Sequence, residues 1–138
     1  MVTLLIGKKG SGKTKKLIEL ANQAVKESQG NVVVIEKGKK LTYDLTYEAR
    51  LVDVEAYSVK GYDMLFGFIS GICAGNYDVT DIFVDSTFKI CKEGVDGLDA
   101  FANNLKELNK EAKTNITLLI SADKSEIPED IADLCQTV

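Results

Sequence analysis

Apolar positions recur along this chain with distinct periods, and the periods mark out its elements. Val2-Thr3-Leu4-Leu5-Ile6, Val32-Val33-Val34-Ile35, Ile82-Phe83-Val84 and Ile116-Thr117-Leu118-Leu119-Ile120 are short, nearly continuous apolar runs. Runs of this length, rich in β-branched residues, fit strands buried on both faces of a parallel sheet. Strands are therefore expected over 2–6, 32–36, 82–85 and 116–121. Leu17, Ile18, Ala21, Ala24 and Val25 share one face of a helix, as do Leu98, Phe101, Ala102, Leu105, Leu108 and Ala112. The first helix should start near Ser11–Lys13 and run to about Ser28, with Gly30 placed to cap it.

Three segments read differently. Leu45, Tyr47, Ala49 and Leu51 alternate with Thr46, Glu48 and Arg50, the period of a half-exposed strand. A fifth strand is expected over 45–54, with an edge position and an antiparallel partner both fitting the pattern. Residues 62–75 form a buried helix in which Gly67, Gly71 and Gly75 share one face. Either the helix packs closely on the sheet through those glycines, or it makes a close contact with a second copy. Pro128-Glu129-Asp130 opens a last helix, with Pro early and acids in its first turn. Strands alternating with helices give a single α/β domain over 1–138, three layers around a mainly parallel sheet of about five strands.

Composition narrows the chemistry. Apolar content of 45% and charged content of 28% suit a soluble globular protein. No apolar run reaches the ~20 residues of a membrane span. The start of the chain has no basic stretch before its apolar run, so it reads as a strand and the cytoplasm is the expected location. Cys73, Cys91 and Cys135 are widely spaced, and the chain has no His. Buried thiols are expected, with neither a zinc site nor a Cys–His pair.

Net charge is −4, but residues 1–40 carry nine Lys against three Glu, and the remaining residues carry −10. Five of those lysines, Lys8, Lys9, Lys13, Lys15 and Lys16, cluster in one short stretch. A positive field focused on one point of an acidic protein suits a small phosphate-bearing ligand better than a nucleic acid, which wants a broad basic face.

That stretch is Gly7-Lys8-Lys9-Gly10-Ser11-Gly12-Lys13-Thr14, followed by Lys15. It fits G-x-x-x-x-G-K-[ST], the phosphate-binding loop pattern, between an expected strand and an expected helix. Glycines let the backbone turn its N–H groups onto phosphate oxygens, and the helix N-terminus adds a positive dipole end. Lys13 would reach the β- and γ-phosphates, and the Thr14 hydroxyl would ligate Mg²⁺.

With these residues the whole chain resembles a minimal P-loop NTPase. The resemblance implies a Mg²⁺-orienting carboxylate at the tip of a buried strand, and Asp85 after Ile82-Phe83-Val84 matches that position. Asp81 would lie at the wrong end of the strand. Ser121 or Asp123, after the next strand, matches the place of a polar γ-phosphate sensor. The residue after Asp85 is Ser86, where ATP-hydrolysing members carry a water-activating Glu. This departure, with no His and Arg50 as the only arginine, implies slow or partner-dependent hydrolysis.

The order of segments is similar to RecA-like and thymidine-kinase-type cores, and the overall look to small uncharacterised bacterial P-loop proteins. One arginine cannot build the lid of a nucleoside monophosphate kinase. No base-reading motif for guanine is present, so ATP is the expected nucleotide. Three uses stay open: a weak ATPase, a nucleotide-controlled interaction module built on the Lys37–Arg50 region, and a small-molecule kinase with Asp53, Glu55 or Asp123 as base. A protein partner or a homo-oligomer is expected, with Arg50 a candidate to act across a subunit boundary.

Overall fold

The computed structural model of the chain describes all 138 residues. Six strands form one sheet: β1 (Val2–Gly7), β2 (Asn31–Glu36), β3 (Arg50–Asp53), β4 (Val79–Val84), β5 (Asn115–Ser121) and β6 (Cys135–Thr137). Their order across the sheet is β3-β2-β4-β5-β1-β6, and every neighbouring pair is parallel. Four α-helices accompany them: α1 (Lys13–Glu27), α2 (Gly61–Gly75), α3 (Thr87–Ile90) and α4 (Leu98–Ala112). The architecture is the expected three-layer α/β sandwich.

Alternate residues of each strand serve the two faces. Val2, Leu4, Ile6, Ile82, Val84, Ile116, Leu118 and Ile120 face the larger core, closed by α2, α4 and the 3₁₀ turn 129–134. Leu5, Val32, Val34, Phe83 and Leu119 face the smaller one, closed by Leu17 and Ala21 of α1 and by Leu41, Leu45 and Ala49. Because all strands run the same way, their C-terminal ends share one edge. Gly7 lies in register with Ser121, Glu36 with Asp53, and Val84 with Ile35. No helix is long and apolar enough to cross a membrane.

Several expectations are corrected. The fifth strand is only Arg50–Asp53, and it lies parallel to β2 at the sheet edge. Residues 45–49 form a turn, because the buried positions are Leu41, Leu45 and Ala49, four apart, while Tyr47 points into solvent. The apparent alternation in that segment came from Tyr47, which contributes nothing to the core. The last helix is a 3₁₀ turn over Glu129–Leu134 that hands the chain to a sixth strand. Helix α1 stops at Ser28, whose backbone is extended, so Gly30 is not a left-handed cap. Gly30 serves close approach instead, since a Cβ there would collide with the Asp78 carbonyl.

The α2 glycines are a further correction. Tyr62, Leu65, Ile69 and Cys73 form the buried face of α2, whereas Gly67, Gly71 and Gly75 are exposed with open space where a Cβ would stand. They do not pack on the sheet. The three thiols are free; Cys73 and Cys91 are buried and Cys135 is partly so.

Candidate functional site: a lysine-lined cleft at the sheet edge

The chain leaves β1 at Gly7 and enters α1 at Lys13, and the five residues between make a tight loop over the sheet edge. Its turn depends on Gly10 and Gly12, with φ of 83° and 90°, a region that costs other residues about 1–2 kcal/mol. One internal bond holds the loop, from the Ser11 N–H to the Lys8 carbonyl at 3.0 Å. The N–H groups of Gly10, Gly12, Lys13, Thr14 and Lys15 donate to no protein acceptor, and no side chain caps the helix. Unpaired amides at the positive end of a helix of 15 residues form an anion cradle.

Lys13 is nine-tenths buried, and its ammonium donates to the Lys8 carbonyl at 2.8 Å. The side chain therefore arches back over the loop instead of extending into solvent. Burial pulls its pKa below the ordinary lysine value, and the nearby Asp85 carboxylate opposes that shift.

Asp85 follows β4 and is itself buried. Its amide donates to the Ile35 carbonyl at 2.9 Å, which ties it to the end of β2. One carboxylate oxygen accepts the Thr14 hydroxyl at 3.1 Å, and the other accepts the Ser86 hydroxyl, also at 3.1 Å. Strand β5 lies between β4 and β1, so the Thr14–Asp85 contact spans the strand that separates them. Thr14 and Asp85 place two hard oxygens side by side. The chain has no cluster of three or more His, Cys, Asp or Glu able to hold a metal. Two protein oxygens, completed by water and phosphate oxygens, suit Mg²⁺, which keeps much of its hydration.

Ser86 has φ 48° and ψ 56°, a left-handed conformation unusual for a non-glycine residue. It turns the chain sharply into α3. Thr87, Ile90 and Cys91 of this segment are buried, while Lys89 and Lys92 are exposed and Phe88 is half-buried. A cleft of about 580 Å³ separates the segment from the glycine-rich loop. Lys9, Gly10, Gly12, Lys13, Thr14 and Lys15 form one wall; Ser86, Phe88, Lys89 and Lys92 form the other; Leu119 and Ser121 lie between. Phe88, Lys89 and Lys92 were missed in the sequence reading, although their place just beyond a strand that ends at Asp85 would have put them on this edge.

The remaining expected residues separate. Ser121 is exposed in the cleft, in register with Gly7. Lys8 is exposed and lies near Asp123. Asp123 accepts from the Ser125 hydroxyl at 2.6 Å and from its amide at 3.1 Å, capping a 3₁₀ turn. Those bonds, with Lys8 nearby, hold its carboxyl below the ordinary value. Asp53 accepts the amides of Gly38 and Glu55, and Glu55 lies 4.0 Å from Lys37. Both sit beyond β2 at the far side of the sheet. Arg50 starts β3 opposite Val33 and borders a different pocket, with Tyr57, Phe68 and Gly71, so it is remote from its own chain's loop.

A buried carboxylate not singled out from sequence completes the edge. Glu36, at the end of β2, accepts the amides of Lys40 at 2.9 Å and Leu41 at 3.2 Å. It fixes the turn that carries Lys37, Lys39 and Lys40. Compared with known proteins, the chain matches no protein-family model and no curated protein.

Proposed function

We propose that the protein is a member of the P-loop NTPases that binds a Mg²⁺-nucleotide, ATP in the first instance, with its phosphates on the Gly7–Thr14 loop. The observation that carries this reading is the Thr14–Asp85 hydrogen bond, which joins the end of the loop to the tip of β4. The unpaired amides of Gly10, Gly12, Lys13, Thr14 and Lys15 would take phosphate oxygens. Lys13 would release the Lys8 carbonyl and turn to the β- and γ-phosphates. Thr14 and Asp85 would hold Mg²⁺, which supplies charge neutralisation on the phosphate oxygens when bound.

The same residues argue for slow turnover. Water attack needs a group to position or deprotonate the water. Ser86 follows Asp85, and its hydroxyl is donated to that carboxylate. The nearby carboxylates are engaged in structure: Glu36 by two amides and Asp123 by Ser125. No arginine stands in the cleft. Hydrolysis is therefore weak in the isolated chain and rises only when a partner completes the site.

A nucleotide-controlled interaction module is the second reading, and one observation favours it. Tyr43 and Tyr47 are almost fully exposed, at 97% and 94%, on the segment following β2. Aromatic rings displayed this way are typical anchors of a protein contact. The segment is held by Asn22, which accepts the Thr46 amide and donates to the Asp44 carbonyl. Binding of Mg-ATP measured by calorimetry tests the shared premise. Loss of binding in Lys13→Ala is expected, and unchanged binding contradicts it. Steady-state turnover by the isolated protein then separates enzyme from module.

A further inference from the structure

The cleft holds more positive charge than one nucleotide needs. Its walls carry Lys9, Lys13, Lys15, Lys89 and Lys92 and no carboxylate, and the nearest acid on this edge is the buried Asp85, which acts on Lys13 and bonds Thr14. Five ammonium groups against one carboxylate leave about four positive charges, and Mg²⁺ would add two more. A nucleoside triphosphate brings about four negative charges, so about two positive charges stay unmatched once it is bound.

The surplus has a place. Lys9, Lys13 and Lys15 belong to the wall that presents the free amides, whereas Lys89 and Lys92 stand on the facing wall. Neither of the latter pairs with an acid; the chain's two ion pairs are Lys37–Glu55 and Lys110–Glu107. Their backbone is anchored, since Ile90 and Cys91 between them are buried and the Cys91 amide bonds the Thr87 carbonyl at 2.8 Å. Glu93, the next acid in sequence, is turned away to the Tyr62 amide. Phe88, half-buried, lines the same cleft with an aromatic ring.

We infer that Lys89, Lys92 and Phe88 form a second subsite, for a phosphomonoester bound alongside the nucleotide. A phosphomonoester carries about −1.5 to −2 charges near pH 7, which matches two lysines, whereas a single carboxylate does not. Phe88 would pack against the organic part of the ligand. This subsite rests on the nucleotide reading of the loop.

The test is a pair of calorimetric titrations. The protein is first titrated with Mg²⁺ and a non-hydrolysable ATP analogue, then, once saturated, with ribose 5-phosphate, and with ribose as the phosphate-free control. Ribose 5-phosphate should bind the loaded protein at one site and ribose should not. The double variant Lys89→Ala/Lys92→Ala should lose ribose 5-phosphate affinity by about tenfold or more, with analogue affinity falling less than about fivefold. Both lysines are exposed, so the variant should fold normally.

No uptake of ribose 5-phosphate by protein that binds the analogue overturns the subsite and leaves the loop reading intact. An equal loss of analogue and ribose 5-phosphate affinity assigns the two lysines to the nucleotide itself and also overturns it. Failure of the wild type to bind the analogue overturns both readings.

Discussion

Thr14 and Asp85 lie 71 positions apart in the chain, yet the Thr14 hydroxyl donates to the Asp85 carboxylate at 3.1 Å. The contact closes the gap between a loop built by β1 and α1 and a strand tip two places away in the sheet. It brings a hydroxyl, a carboxylate and a buried ammonium beside the unpaired amides of the loop. Asp85→Asn keeps the shape and removes the charge. Affinity for ATP with Mg²⁺ should fall about tenfold or more, while affinity without Mg²⁺ should change little. Titrations with and without a chelator measure the difference, and equal losses in both would count against a metal role.

The left-handed loop glycines give a stability prediction. A Cβ at Gly12 would meet nothing within 4 Å, so the cost of Gly12→Ala is conformational alone. It should destabilise the fold by about 1–2 kcal/mol in chemical denaturation and abolish measurable phosphate binding. A variant with full stability and full binding would show that the loop does not need this backbone conformation.

The exposed glycines of α2 predict the opposite sign. Gly67 and Gly71 lie inside a helix, facing open space, so alanine gains helix propensity without a clash. Each substitution should stabilise by about 0.5–1 kcal/mol. If α2 packs against a second copy through these positions, the added methyl groups will instead weaken association. Denaturation together with sedimentation at several concentrations distinguishes the two results.

Glu36 is a prediction about the turn beside the site. It supplies both oxygens to backbone amides while almost fully buried. Glu36→Ala should cost about 1–3 kcal/mol, because two N–H groups lose their acceptor, and Glu36→Gln should cost less. Denaturation midpoints read this directly, and an unaltered midpoint in Glu36→Ala would refute the role.

The thiols give a pH dependence. Burial pushes the Cys91 thiol up to about 12, with Glu93 adding to the shift, and Cys73 is also raised by burial. A folded pKa above the unfolded value means the native state holds its proton longer as pH rises. This stabilising contribution is complete below about pH 9 and is lost between about 9 and 12. Stability should fall across that window. Disulfide-exchange reagents at pH 8 should modify Cys135 first, and Cys73 and Cys91 only on unfolding.

Much of this molecule is legible in its sequence, for identifiable reasons. Val32–Ile35 and Ile116–Ile120 are buried on both faces, and such strands announce themselves as unbroken apolar runs. The Gly7–Thr14 loop is legible because its backbone requires particular residues at fixed spacing, and Asp85 because it ends a buried run. The sixth strand, Cys135-Gln136-Thr137, has no apolar signature, since it is an edge strand defined by its pairing with β1. Arg50–Asp53 was embedded in a longer false alternation, because an exposed tyrosine scored as apolar. The outward direction of Gly67 and Gly71 was hidden because spacing gives a common face but not its neighbour. The position of Lys89 and Lys92 just beyond Asp85 places them on the right edge of the sheet, but only the turn at Ser86 shows that they line the cleft with the loop.

The central claim is that the Gly7–Thr14 loop binds the phosphates of a Mg²⁺-nucleotide. Calorimetric titration of the wild type and of Lys13→Ala with Mg-ATP tests it most directly. A single site with dissociation constant in about the micromolar range is predicted for the wild type, weakened roughly 100-fold, about 2.7 kcal/mol, in the variant. No binding by the wild type, or the same affinity in both proteins, would contradict it.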